Sequence, residues 1–227
     1  MVLRFRAALV LVGTLVFAAC GDDEVPAGRV RVGHLSPDAG TVNLYVNGNE
    51  VLPGITYPNS TLYYDVREGS NEVSLRSNAT GATLLAATVN ISGSADRTVL
   101  AVNTAANLEA LVLTDDNSQP AAGRARVRLV HAAPSAGLVD VYITDPGATL
   151  VGATPTVAGV AFKDVSDYLD VAAGTYRVRA TEAGTTDVVI DQVLNATALL
   201  VTTISATETV GGGAPYTLTV FVDRFTP

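Results

Sequence analysis

One stretch of this sequence occurs twice, and that duplication limits what the chain can fold into more than any other feature. RVRVGHLSPDAGTVNLYV at residues 29–46 aligns without a gap on RVRLVHAAPSAGLVDVYI at 126–143, and nine of the eighteen positions are identical. Self-similarity at this level marks one structural unit written twice. The correspondence then runs on more weakly. Tyr64-Asp65-Val66 followed by Gly69 answers to Leu169-Asp170-Val171 followed by Gly174, and the copies end alike, LVLTD at 111–115 against TVFVD at 219–223. The spacing predicts a first domain over 29–116, a linker over 117–124 and a second domain over 125–227. Each is long enough to bury a core of its own.

Within each copy the hydrophobic period is two. Val42, Leu44 and Val46 alternate with Asn43 and Tyr45, as Val139, Val141 and Ile143 alternate with Asp140 and Tyr142. That is the pattern of half-buried strands. Further Thr- and Val-rich runs follow in both copies, punctuated by Gly, Asn, Asp and Pro, and no long stretch has the helical period. About seven strands per copy are expected on this pattern. The fold class is therefore all-β, two tandem immunoglobulin-like β-sandwich domains, with a small barrel as the alternative.

Residues 1–19 read as an export signal. Arg4 and Arg6 precede an uncharged apolar run from Ala7 to Ala19, which is too short to span a bilayer comfortably and suits a signal sequence. The run ends in Phe17-Ala18-Ala19-Cys20-Gly21. Small residues before a cysteine resemble the lipobox of bacterial lipoproteins, although Phe17 stands where an aliphatic residue is usual. Cys20 is the only cysteine, so it has no disulfide partner, and lipidation accounts for it. The resemblance implies a lipid anchor at Cys20, with a diacylglyceryl thioether and an N-acyl chain such as palmitate; more than one chain is what stable anchoring requires. Residues 20–28 are short, polar and Pro/Gly-bearing, and read as a flexible tether.

The repeated motif, with His34 and His131, Pro37 and Pro134, Gly40 and Gly137, Tyr45 and Tyr142 at matching places, is similar to the opening of the bacterial DUF4397 domain. That family is often doubled and occurs in exported and surface proteins. The resemblance covers nearly all of 29–227. It implies an all-β domain and no assigned activity, so no catalytic residue is carried over.

Alternation assigns the motif's side chains to faces. Val30, Val32 and His34 share one face of a strand, as do Val127, Leu129 and His131. Both histidines are thus expected inward, as structural residues bonded to turn backbone. Arg29 and Arg31, with Asn43 and Tyr45, are expected outward, as are Arg126 and Arg128 with Asp140 and Tyr142. If the first two strands of each copy pair, Arg31, Asn43, Tyr45, Arg128, Asp140 and Tyr142 form a twice-used face. Its plain role is cross-strand stabilisation; its functional role is a binding face used for avidity.

Other constellations are thin. Asp164, Asp167 and Asp170 recur every third residue, a spacing that alternates faces on a strand and could gather for calcium only on a turn. There is no Gly-x-Ser-x-Gly elbow and no phosphate-binding Gly-Lys loop. A Ser–His–Asp constellation in an unfamiliar order stays open. Tryptophan is absent, which leaves Tyr57, Tyr63 and Tyr64 as the one aromatic platform for stacking on a sugar. Net charge is −8 and becomes two more negative without Arg4 and Arg6, which repels nucleic acid. No cofactor, metal site or catalytic residue is expected. The reading is a non-catalytic, lipid-anchored cell-envelope protein, a binding or spacer module, in the outer membrane. An envelope protein or a polysaccharide would be its ligand. The alternatives are a calcium-stabilised adhesion module and a hydrolase with an unrecognised site.

Overall fold

The computed structural model describes residues 28–224. The signal segment, Cys20 and most of the tether lie outside the described residues. The first half contains β1 (Gly28–His34), β2 (Val42–Val46), β3 (Asn49–Ile55), β4 (Asn59–Ser60), β5 (Tyr64–Val66), β6 (Gly69–Ser77), β7 (Thr83–Ile91), β8 (Asp96–Val102) and β9 (Glu109–Asp115). The second contains β10 (Arg124–His131), β11 (Val139–Thr144), β12 (Val157–Val160), β13 (Leu169–Ala172), β14 (Gly174–Glu182), β15 (Val188–Ala196), β16 (Val201–Thr207) and β17 (Thr217–Arg224). The chain is all-β, with two short 3-10 turns as its only described helices.

Four sheets result, and their strand orders match between halves. In the first half β3-β2-β6-β7 forms one sheet, and β4-β1-β8-β9, with β5 also on β1, forms the other. In the second half the orders are β12-β11-β14-β15 and β13-β10-β16-β17. Most pairs are antiparallel, but β1 runs parallel to β8 and β10 parallel to β16. Strands number nine and eight, against about seven expected per copy on the sandwich pattern. β3 escapes a period-two reading because Pro53 and left-handed Gly54 (φ 74°) interrupt it, and the β2–β3 register shifts on both sides of Leu44.

Each half buries its own core. In the first, Val30 and Val32 of β1 meet Val42 and Leu44 of β2 and Val73 and Leu75 of β6. In the second, Val127 and Leu129 of β10 meet Val178, Leu194 and Ile204. A third cluster belongs to neither half alone: Leu35, Leu100, Val102 and Leu113 pack with Val130, Ala132 and Phe221. The β1 and β10 sheets therefore bury both faces, one against their own half and one against each other. At that contact Gly33 leaves room that a side chain would take from Leu100, with the Phe221 ring just behind.

Candidate functional site

The contact between halves is where the polar chemistry concentrates. Arg31 leaves β1 on the face opposite Val30 and Val32, and Arg128 leaves β10 in the same way. Their guanidinium groups cross. Arg31 Nη2 lies 2.7 Å from Asp223 Oδ1 at the end of β17, and Arg128 Nη2 lies 2.7 Å from Asp115 Oδ1 at the end of β9. All four side chains are at most 3% exposed. Each half thus supplies one cation and one anion, and every strong pair joins one half to the other.

The remaining bonds repeat this relation. Arg31 Nε and Nη2 donate to Thr98 Oγ1, and Arg128 Nε and Nη2 donate to Thr203 Oγ1. The two threonine hydroxyls donate to Asp115 Oδ2 and Asp223 Oδ2, at 2.7 Å each. Arg31 Nη1 donates to the carbonyl of Val222, and Arg128 Nη1 to that of Thr114. Tyr63 donates to Asp115 and Tyr168 to Asp223, while their rings lie under Arg31 and Arg128 at 4.9 and 4.8 Å. Burial pushes both phenols well above their ordinary range, so they serve as donors. Burial also pushes the Asp223 carboxyl up, and Arg31 pulls against it. Buried charges persist only when paired and hydrogen-bonded like this.

This placement corrects the expected outward face. Arg31, Arg128, Asp140 and Tyr142 are buried, and only Asn43 and Tyr45 are half-exposed. The first two strands of each half do not pair: β1 and β2 belong to different sheets, as do β10 and β11. Arg31 therefore never meets Asn43 or Tyr45, and the second face of β1 is covered by the other half.

The other motif residues hold turns. His34 Nε2 bonds the carbonyl of Gly40 at 2.7 Å, and His131 Nε2 bonds that of Gly137 at 2.9 Å. Both glycines are left-handed, φ 71° and 69°, so the motif's glycine supplies the conformation and its histidine the clamp. Burial lowers both imidazoles below their usual value, which keeps them neutral, with Nε2–H as the donor. Asn43 Oδ1 accepts from the N–H of Gly54 at the β3 bulge. Asp140 does the same for Gly159 and also accepts from Gly184. Tyr45 donates to Glu50 and stacks under Arg76 at 4.0 Å.

The aspartate series does not gather. Asp164 Oδ2 closes its own turn by accepting from Ala161 N–H, and Asp170 lies 4.0 Å from Arg126. Among the described residues no group of three or more His, Cys, Asp or Glu could hold a metal. The three tyrosines part company too: Tyr57 donates to Glu208 O, Tyr63 joins the crossed cluster and Tyr64 packs on the first core.

Residues 28–142 match the family model described as "Domain of unknown function (DUF4397)". That span is half of the chain. The chain belongs to the DUF4397 family. The matched segment contains the first copy of the opening motif and all but the last residue of the second. No curated protein matches the chain. Several solved structures show weak likeness, two of which illustrate it. The first is the crystal structure of CBMbc (family CBM26) from Eubacterium rectale Amy13K in complex with maltoheptaose, at 14% identity over 88% of this chain and 98% of that one, TM-score 0.29. The second, described as alpha-glucan recognition by family 41 carbohydrate-binding modules from streptococcal virulence factors, has 12% identity over 85% of this chain and 96% of that one, TM-score 0.27. Likenesses of this size define no shared arrangement of strands.

Sequence reasoning missed the anionic partners in this DUF4397 chain, Asp115 and Asp223, and the threonines that bridge them. A signal for the aspartates was present. Both copies end in an apolar strand closed by Asp, and both begin with an Arg two residues after another.

Proposed function

We propose that the protein is a non-catalytic, lipid-anchored envelope module whose two copies of one domain act as a single rigid spacer. The crossed Arg31–Asp223 and Arg128–Asp115 pairs carry this reading, since a hinge at residues 116–123 would have to strip four buried charges of their partners. Lys163 to Glu109 at 2.8 Å and Tyr57 to Glu208 add further ties between the halves. The one histidine of each half is clamped to backbone and kept neutral by burial, which leaves neither as an accessible base. Anchoring at Cys20 and an outer-membrane address follow from the export signal, the solitary cysteine and the polar tether. Two measurements test the reading. Cells fed an alkyne-tagged palmitate should label the wild-type chain and not Cys20→Ala. Small-angle scattering of the lipid-free protein should fit one fixed arrangement of the halves; a broad distribution of inter-half distances would refute the spacer.

A further inference from the structure

Every sheet has two edges, and an unguarded edge is a template for another strand. Most edges here are guarded. β3 carries Glu50 and Pro53, while β4, β5, β12 and β13 have four residues or fewer. On β9 and β17 the carbonyls of Thr114 and Val222 are capped by Arg128 and Arg31. β7 and β15 are different. Each has nine residues. β7 contains no charge and no proline. β15 contains one charge, Asp191, which is tied to Arg177 at 2.7 Å, and it exposes Val188 and Val193 at 45% and 64%. Among the described residues β7 pairs only with β6 and β15 only with β14, and neither makes a backbone bond beyond those ladders.

We propose that β7 of one copy pairs with β15 of a second copy, so that the protein assembles head to tail through its outer sheets. The two strands hold the same place in sheets of the same order. They are equal in length, and each ladder shifts register near the same end, at Leu75/Arg76 and at Ala180/Thr181. Head-to-tail pairing satisfies both open edges of every internal molecule. A β15–β15 contact would leave every β7 open, and a β7–β7 contact would leave every β15 open. A heterologous contact that does not close on itself gives an open chain. The proposal is independent of lipid anchoring and of the spacer reading.

The test uses the full chain with Cys20→Ser, so that no acyl chain drives association, in sedimentation across a wide concentration range. The wild-type edge sequence should give masses that rise beyond the dimer. Ala86→Lys with Thr88→Lys blocks β7, and Val188→Lys with Val193→Lys blocks β15; all four side chains are exposed, so the fold should survive, as a thermal melt checks. Each blocked variant alone should associate at least tenfold more weakly. An equimolar mixture should form a one-to-one dimer and stop there, because one partner keeps β15 and the other β7. A monomer at every concentration, or a singly blocked variant that still dimerises alone, overturns the proposal.

Discussion

Replacing Arg128 by alanine removes the one cation within 4 Å of Asp115 among the described residues. The carboxylate would keep the hydroxyls of Thr98 and Tyr63, but its buried side chain would have no cation in direct contact, with Arg31 reaching it only across Thr98. Breaking a buried pair from one side costs roughly 3–5 kcal/mol, and the carbonyl of Thr114 loses its donor as well. Arg31→Ala should cost less, about 3 kcal/mol, the low end of the same range. Asp223 would still have Arg128 Nη2 at 3.8 Å, beside Thr203 and Tyr168. The order Arg128→Ala worse than Arg31→Ala is thus set by geometry and not by sequence position. Urea unfolding followed by circular dichroism measures it, and calorimetry shows whether the wild-type transition splits in two once the halves are uncoupled. Removing both members of a pair, Arg31→Met with Asp223→Leu, should recover most of the loss, since apolar residues of similar volume replace buried ion pairs at little cost. An Arg128→Ala protein within about 1 kcal/mol of wild type, the spread of an ordinary point mutation, would refute the claim that these charges hold the halves together.

Other outcomes follow from the same geometry. The lowered His34 and His131 imidazoles bind a proton more readily in the unfolded chain, so stability should be complete above the ordinary imidazole value near 6.5 and fall as pH drops below it. The slope is at most about 1.4 kcal/mol per pH unit for each histidine, and a flat stability profile between pH 7.5 and 5 contradicts it. A cavity of about 30 Å³ in the second core is lined by Ala180, Ile190 and Val178. The first half has Leu75 where the second has Ala180, so Ala180→Val should stabilise by about 0.7 kcal/mol at the usual cost per unit of cavity volume; a lower denaturation midpoint would show that the space cannot take the methyl groups. Asp140→Ala frees the N–H groups of Gly159 and Gly184 together and should cost about 2 kcal/mol, whereas Asn43→Ala frees one and should cost about half as much; equal losses in chemical denaturation would contradict this.

The β-fold and the inward histidines were legible because both rest on local alternation: Val30, Val32 and His34 differ from Arg31 by one pleat and nothing else. The orientation of Arg31 was legible for the same reason. What covered that face was not. Period two reports which side of a strand a residue takes, and says nothing of whether that side meets water or another sheet. An outward Arg and a buried inter-sheet Arg therefore look alike in sequence. Strand partners were equally hidden. β1 pairs in parallel with β8, some 67 residues away, and no turn chemistry between adjacent strands encodes a pairing that distant. The assumption that consecutive strands pair put Arg31 beside Asn43 and Tyr45, where the fold never places it.

The motif's conservation of place between halves then has an architectural explanation. Its first arginine pairs with a carboxylate, its second crosses to the other half, its histidine and glycine close a turn, and its Asn or Asp pins an edge bulge. Residues committed in this way are poor candidates for ligand recognition, and any such role would fall to segments the halves do not share. The largest such difference is the connection after the motif. It spans 47–48 between β2 and β3 and 145–156 between β11 and β12. The longer loop brings Pro155 against Tyr142 and the 184–187 turn, and together they wall an open cleft of about 540 Å³ beside Asp140. Loops on a rigid scaffold are where binding specificity is built. Cutting 145–156 back to the two-residue turn of the first half should therefore leave the melting transition nearly intact, because the loop's bonds to β11 are few: Thr156 to Val141 O and Ile143 N–H, and the carbonyl of Asp145 to Thr144 Oγ1. A collapse of the second half on that deletion would show instead that the loop is part of the core, and that the cleft is a by-product of folding.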